Sequence, residues 1–375
     1  MQISALKENF NNENRVALTP DAVKLFQRLG LEVLIEDFAG NNSGYTNELY
    51  KENGAKIVSR NECLKADICL CVKMPNEEDL NKLNENTVLI GILNPYENKK
   101  YFNTLNNKKI ISCCMELIPR ISRAQSMDVL SSQANLAGYR SVIDAAEQFG
   151  KAFPMMMTAA GRVNPAKVMV LGVGVAGLQA IATAKRLGAV VSATDVRSAT
   201  KEQVESLGGK FIMVEDEEST NAETEGGYAK EMSEEYKKKQ AKLIAETIAK
   251  QDIVICTALI PGKTAPVLIS QEMVESMTSG SVVVDLAVEA GGNCPLSKIG
   301  EVVMHKGVKV IGYANVPGRV AKDASALYAK NIFNFLSLII DKEDKKINLN
   351  WDDEIVSAVV LTHDGNIELE QFNNK

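Results

Sequence analysis

The residues Gly172-Val-Gly-Val-Ala-Gly177 have the spacing of a phosphate-cradling turn. In such a turn the first glycine allows a sharp bend, the second lets backbone N–H groups approach a pyrophosphate, and the third permits close packing of helix on strand. Alone, the pattern is equally a tight structural turn. Its surroundings point to dinucleotide binding: the apolar run Lys167-Val-Met-Val-Leu171 precedes it, a helix-like run from Leu178 to Leu187 follows it, and the next apolar run, Val190 to Thr194, leads into Asp195. An acidic side chain there can accept hydrogen bonds from both hydroxyls of an adenosine ribose and would repel a 2′-phosphate, which favours NAD(H) over NADP(H). Arg197 can pair with such a phosphate, lie flat on an adenine, or remain a solvated charge. A second dense group, Arg120, Arg123, Gln125, Asp128 and Ser131, falls in the connection between two predicted domains, where small ligands tend to bind. These residues also have a plainer reading, in which Arg and Asp pair with one another and Ser126 caps the following helix.

Two series of short apolar runs must position these groups. The first comprises Leu31–Ile35, Ala66–Val72, Thr87–Leu93 and Lys109–Cys113, and it is preceded by Thr19-Pro20-Asp21, a helix start with Thr capping and Pro at the first position. The second comprises Lys167–Leu171, Val190–Thr194, Ile253–Cys256, Ser281–Asp285 and Val308–Ile311. Near-continuous apolar runs separated by helical patterns predict parallel sheets covered on both faces. The fold class is therefore α/β, with two doubly wound Rossmann-like domains joined by long helices near Leu130–Ala152 and Ala321–Ile340. The second helix returns the chain to the first domain, so that domain is discontinuous: residues 1–135 with 317–375 form one domain and residues 136–316, the NAD(H)-binding one, form the other. The charged segment Glu215–Gln240, with Gly226-Gly227, is longer than most strand-to-helix connections and is expected to be a functional or disordered loop.

Composition bounds the function. A chain of 375 residues that is 45% apolar and 24% charged excludes a disordered or fibrous protein, and its length suits two cores rather than one. With 48 acidic against 42 basic residues there is no positive field for a polyphosphate strand, so nucleic acid is not an expected partner. The seven cysteines lack metal-ligand spacing, which predicts no metal site and reduced thiols in a cytoplasmic setting. The longest uncharged run, Val168–Ala184, is interrupted by Gly172, Gly174 and Gly177 and is too short to span a bilayer. No direct membrane insertion is expected, and Met1–Arg15 has no secretory signal.

Five stretches together carry a family resemblance: Pro119-Arg-Ile-Ser-Arg-Ala-Gln-Ser-Met-Asp128, Met155–Gly161, the glycine turn through Asp195-Val-Arg197, Ala258-Leu-Ile-Pro-Gly-Lys263, and Asp285-Leu-Ala-Val-Glu-Ala-Gly-Gly-Asn-Cys-Pro295. From Arg15 to about Asp364 the chain resembles the NAD(H)-binding domain of the proton-translocating nicotinamide nucleotide transhydrogenases, in the separately encoded form that stops before the membrane segment. The resemblance implies direct hydride transfer between NAD(H) here and NADP(H) on a partner subunit, coupled to proton translocation. It implies that Arg120, Gln125 and Asp128 hold the nicotinamide and its ribose as the catalytic group, with Ser131 beside them. It assigns cofactor binding to Gly172, Gly174, Val175, Ala176, Gly177, Asp195, Val196, Arg197, Thr257, Ala258 and Leu259. Glu225–Met232 matches the family's mobile loop, with Gly226-Gly227 as hinge and Gly227, Tyr228 and Met232 closing over the cofactor. The implied partners are a membrane subunit and an NADP(H)-binding subunit, with a homodimer of this chain, peripheral on the inner face of the plasma membrane through those partners.

Hydride passes directly between two nicotinamides, so such a site needs positioning groups and no acid or base. The nearest alternative, an amino-acid dehydrogenase like alanine dehydrogenase, needs a titratable group near neutrality. Counterparts of that enzyme's substrate-site Arg and Lys stand at Arg15 and Lys73, but Asn94 replaces its catalytic His and Glu289 its Asp. His305, just before a predicted strand, and His363, in the tail, are read as surface residues. A non-catalytic NAD(H) sensor is the third reading; an open nicotinamide face argues against it.

Overall fold

The structure, a computed structural model, describes residues 1–214, 233–259, 262–341 and 343–373, with the side chain of Lys237 excepted. The chain forms two compact units, Met1–Gln133 with Pro317–Lys375, and Ala134–Val316. The α/β class with parallel-dominated, doubly wound sheets is as the sequence patterns predict.

In unit 1 the chain lays down β1 (Gln2–Ala5), β2 (Glu32–Glu36), β3 (Lys56–Val58), β4 (Ile68–Lys73), β5 (Val88–Ile92) and β6 (Ile111–Cys114), all joined in parallel. Unit 2 carries the small hairpin β7 (Met156–Thr158) and β8 (Gly161–Val163), then β9 (Lys167–Leu171), β10 (Val190–Thr194), β11 (Lys210–Phe211), β12 (Ile253–Cys256), β13 (Val282–Asp285), β14 (Val302–His305) and β15 (Val308–Ile311). The returning chain adds β16 (Val360–His363) and β17 (Asn366–Ile367) to unit 1. Among the described residues the sheet orders are β17-β16-β6-β5-β4-β1-β2-β3 and β11-β10-β9-β12-β13-β15-β14. The winding therefore reverses between β1 and β4 in unit 1 and between β9 and β12 in unit 2, and such reversals open crevices at the carboxyl ends of the strands.

The apolar runs read as strands because both of their faces are buried. In β4, Ile68, Leu70 and Val72 enter one hydrophobic cluster, while Cys69 and Cys71 enter another on the opposite face. In β9, Val168 and Val170 divide from Met169 and Leu171 in the same way. Each such aliphatic side chain contributes about 1.5–3 kcal/mol by leaving water. All seven cysteines are free and buried, and four of them serve as small apolar residues of β4 and β6. Burial pushes the Cys69 thiol up to about 12.

The long helices are Val129–Gln148 and Ala321–Ile339. The chain passes from unit 1 into unit 2 within the first and returns just before the second. No helix of the described residues is long and apolar enough to cross a membrane.

Several local expectations need correction. Thr19 stands at the N-cap of helix Pro20–Arg28, but its side chain makes no cap hydrogen bond. It is buried, and its backbone carbonyl instead accepts from Ala22 N at 3.0 Å. The charged segment is not loop throughout: Ser233 caps a helix over Glu234–Ile248, whose first turn is acidic and complements the helix dipole. His305 ends β14, and His363 ends β16 inside the large sheet rather than lying in a tail.

Candidate functional site

In unit 2 the glycine turn follows β9 directly. Gly172 has φ +96°, a region that favours glycine, and an added Cβ would sit 2.7 Å from Thr257 Oγ1. A Cβ on Gly177 would collide with the carbonyl oxygen of Gly172, so the third glycine is what lets helix Val175–Arg186 start against the strand. Gly174, at the N-cap of that helix, faces open space. The turn thus combines tight packing at two glycines with an open approach at the middle one, beside the unpaired N–H groups of the helix start at Val175 and Ala176.

Asp195 follows β10. Its carboxylate accepts Val173 N at 2.7 Å, Arg197 N at 2.9 Å, Arg197 Nε at 2.9 Å and Arg197 Nη2 at 3.0 Å. Burial opposes its charge, yet the Arg197 guanidinium and the two backbone donors outweigh that and hold its pKa below the ordinary value. Arg197 is therefore neither stacked nor merely solvated in this structure: it neutralises Asp195 and also reaches Val173 O at 3.3 Å. Val196 is 86% exposed.

On the other side of the reversal, β12 runs into Thr257, Ala258 and Leu259. Thr257 Oγ1 donates to Gly172 O at 2.9 Å, tying this loop to the glycine turn, and Leu259 is exposed. Ile260 and Pro261 of the same motif lie outside the described residues. So do Gly227, Tyr228 and Met232, with the whole of Glu225–Met232.

In unit 1, Arg120 and Gln125 are exposed. Asp128 precedes helix Val129–Gln148 and caps it: Ser131 N donates to Oδ1 at 2.8 Å and Ser131 Oγ to Oδ2 at 2.6 Å. The expected cap, Ser126, instead offers its backbone carbonyl to Asn331 and Asn334. Arg123 does not pair with Asp128 but makes a bidentate pair with Asp353 at 2.6 and 2.9 Å.

Unit 1 also contains titratable groups that sequence reasoning missed. Past β1, Glu8 accepts Val72 N at 2.6 Å and Lys73 N at 3.3 Å, and it lines a cavity of about 150 Å³ with Phe10, Lys73 and Asn76. Burial raises Glu8 to about 8 against the pull of those N–H donors. Burial likewise raises Glu116 to about 7; its carboxylate accepts Asn94 N at 2.5 Å and Leu93 N at 3.3 Å. No motif signals these shifts, because an isolated Glu after a strand looks like any surface carboxylate until its surroundings are known.

The comparisons with known proteins agree with one another. Residues 141–370 match the family model described as alanine dehydrogenase/PNT, C-terminal domain, and residues 4–137 the corresponding N-terminal domain. The chain belongs to the alanine dehydrogenase/PNT family. Within that family it is 55% identical over 374 residues to the first portion of the NAD(P) transhydrogenase subunit alpha of Rhodospirillum rubrum, covering 98% of this chain and 97% of that protein. The crystal structure of transhydrogenase from Sinorhizobium meliloti superposes with a TM-score of 0.90 at 49% identity, covering 98% of this chain and all of that one. Alanine dehydrogenase 1 of Staphylococcus aureus is more distant, 30% identical with 97% of this chain and 94% of that protein covered.

The family positions named for the alanine dehydrogenase branch are differently occupied in geometry as well as in type. Arg15 is buried and committed, giving Nε to Glu13 Oε1 at 2.8 Å, Nη2 to Glu13 Oε2 at 2.7 Å and Nη1 to Gln133 Oε1 at 2.9 Å. Lys73 Nζ lies 4.0 Å from the same Glu13. Asn94 is held through its backbone by Glu116, and Glu289 Oε2 accepts Asn315 N at 2.8 Å. His305 pairs with Glu275 at 2.8 Å and His363 packs edge-on against Trp351, so each histidine is half-buried in a structural contact rather than free at a surface.

Proposed function

We propose that this chain is the NAD(H)-binding subunit of a proton-translocating NAD(P) transhydrogenase. Unit 2 binds NAD(H) across the reversal between β9 and β12, the adenosine lying toward Asp195 and the nicotinamide toward Thr257–Leu259. The observation that carries this reading is the full-length similarity, at 55% identity, to a protein named as that subunit. The glycine turn fits the cofactor, because Gly174 opens on free space while Gly172 and Gly177 admit no side chain.

NAD(H), when bound, supplies or accepts a hydride at its nicotinamide. The chain's own residues bind, orient and shield. The N–H groups at Val175 and Ala176 meet the pyrophosphate. Asp195 accepts the ribose hydroxyls after exchanging its contacts with Arg197, and Val196 and Arg197 border the adenine. Arg120, Gln125 and Asp128 hold the nicotinamide and its ribose, with Ser131 fixing the Asp128 carboxylate. Gly227, Tyr228 and Met232 close over the cofactor. None of these groups has to release a proton, since distance and ring orientation are what direct hydride transfer requires.

The hydride acceptor in this reading is NADP(H) held by a different subunit, and a membrane subunit couples transfer to proton movement. The chain works as a homodimer at the inner face of the plasma membrane, attached through those partners. The test is to mix the full chain with an NADP(H)-binding partner subunit and follow NADH-dependent reduction of an NADP+ analogue. Transfer is expected in the mixture and in neither component alone. L-alanine-dependent NADH production by this chain at an ordinary enzyme rate, on the order of 10 per second, overturns the proposal.

A further inference from the structure

The strand pair β12–β13 ends at Cys256 and Asp285, where Leu286 N donates to Cys256 O at 3.0 Å. Beyond that point the peptide at Ala258 has lost its strand partner, although it lies in the stretch that takes the nicotinamide end of the cofactor in the proposed function. A side chain replaces the missing strand. The Asn293 carboxamide accepts Ala258 N at 3.2 Å and donates to Ala258 O at 2.9 Å, and it donates again to Pro266 O at 2.8 Å. Asn293 is wholly buried. Its own carbonyl accepts Leu268 N at 2.9 Å and Ile269 N at 3.2 Å, so it gathers three separate stretches of backbone.

Asn293 is itself held from behind. Asp285, almost fully buried, accepts Ala287 N at 2.9 Å, Cys294 N at 3.0 Å and Ser297 Oγ at 2.6 Å, which folds the loop after β13 back on its own strand end. Gly292, at φ +84°, makes this possible, because a Cβ there would sit 2.8 Å from Asp285 Oδ2. Forward of Asn293, Thr257 carries the same constraint to the glycine turn through its bond to Gly172 O. The chain of contacts from Asp285 through Asn293 and Ala258 to Gly172 is continuous and entirely within unit 2.

We infer that Asn293 is a positioning residue for hydride transfer, clamping the Ala258 peptide so that the nicotinamide ring is presented in one orientation. The inference rests on the proposed function. Only a carboxamide has a donor and an acceptor spaced to engage both sides of one peptide. A carboxylate would set two oxygens against the carbonyls of Ala258 and Pro266, and an alkyl group would leave all three backbone groups unpaired. Because a displacement of about 1 Å can cost a hundredfold in an oriented reaction, the effect falls on the transfer rate rather than on cofactor affinity.

The experiment compares wild type, Asn293→Ser and Asn293→Ala as full chains, each for NADH affinity by fluorescence titration and for single-turnover transfer in the presence of the NADP(H)-binding subunit. The expected result is a transfer rate about tenfold or more lower in Asn293→Ala, with NADH affinity changed less than about threefold. Asn293→Ser, whose hydroxyl restores one of the three bonds, lies between, and it carries the test if Asn293→Ala does not fold. Hydrogen exchange at the Ala258 amide is expected to be slow in wild type and fast in the variants. Transfer at the wild-type rate in both variants, or parallel losses of rate and affinity, overturns the inference and leaves the function standing. A wild-type mixture that transfers nothing overturns the functional reading, and this inference with it.

Discussion

The two units share a doubly wound architecture yet fill their strand reversals with opposite chemistry. After β9 of unit 2 the chain turns through three glycines and leaves backbone N–H groups facing outward, with a single carboxylate at the end of the neighbouring strand. After β1 of unit 1 the stretch Leu6–Arg15 contains no glycine and sends Glu8, Glu13 and Arg15 inward. Where unit 2 offers an electropositive cradle, unit 1 presents a carboxyl held near neutrality and an arginine already spent on Glu13. The lesson is that the winding supplies a crevice and the loop chemistry decides what can enter it. A pyrophosphate finds donors in the first case and buried acids in the second.

The contrast breaks most readily at Gly177. Gly177→Val puts a branched side chain against the Gly172 carbonyl, and NADH affinity is expected to fall by about a hundredfold or more, some 2.7 kcal/mol, in a fluorescence titration. Affinity within threefold of wild type would show that the turn tolerates what its geometry forbids. Asp195→Ala comes next. Losing hydrogen bonds from a charged acceptor to the ribose is worth about 1.5–3 kcal/mol, so calorimetry should read NADH binding weaker by about ten- to a hundredfold. Unchanged binding removes Asp195 from the site.

In unit 1 the expected effects are smaller and of a different kind. Asp128→Ala removes both a helix cap, about 1 kcal/mol of stability, and a group assigned to the nicotinamide. Asp128→Ser can keep the cap without the charge, so a variant with wild-type melting temperature and slowed transfer separates the two roles. Gln125 is exposed and outside the packing, and Gln125→Ala should slow transfer with no change in melting temperature.

Glu8 sharpens the comparison through pH. Its folded pKa is raised from 4.5 to about 8, so the folded state holds a proton that the unfolded chain has lost. The associated stability is full below about pH 4.5 and drains away as pH rises through about 8. Thermal unfolding of wild type should therefore weaken over that range relative to Glu8→Gln, and parallel curves for the two proteins would mean the carboxyl is not buried as described. The carboxylate of unit 2 has the opposite sign. Asp195 is held below its ordinary value, and its stabilisation is lost at low pH.

Much of this was legible in the sequence because it is local. Strand limits at Lys167–Leu171, Val190–Thr194, Ile253–Cys256 and Val308–Ile311 coincide with the apolar runs, since burial of both sheet faces leaves an unbroken hydrophobic stretch. The glycine turn and the acid after β10 were readable for a similar reason: backbone freedom and charge are properties of the residues themselves. Arg123 and Ser126 were less legible, because Arg123 finds Asp353, far along the chain, and Ser126 serves helix Ala321–Ile339 through its carbonyl.

The one-dimensional pattern thus determined the order of strands and helices, the dinucleotide turn and the family, all of which depend on residues near one another. The tertiary structure alone decided that Glu8 and Glu116 titrate near neutrality, that Arg197 neutralises Asp195, and that Asn293 stands in for a strand beside Ala258. Desolvation and hydrogen-bond partnership belong to a place in space, and the chain brings those places together only when it folds.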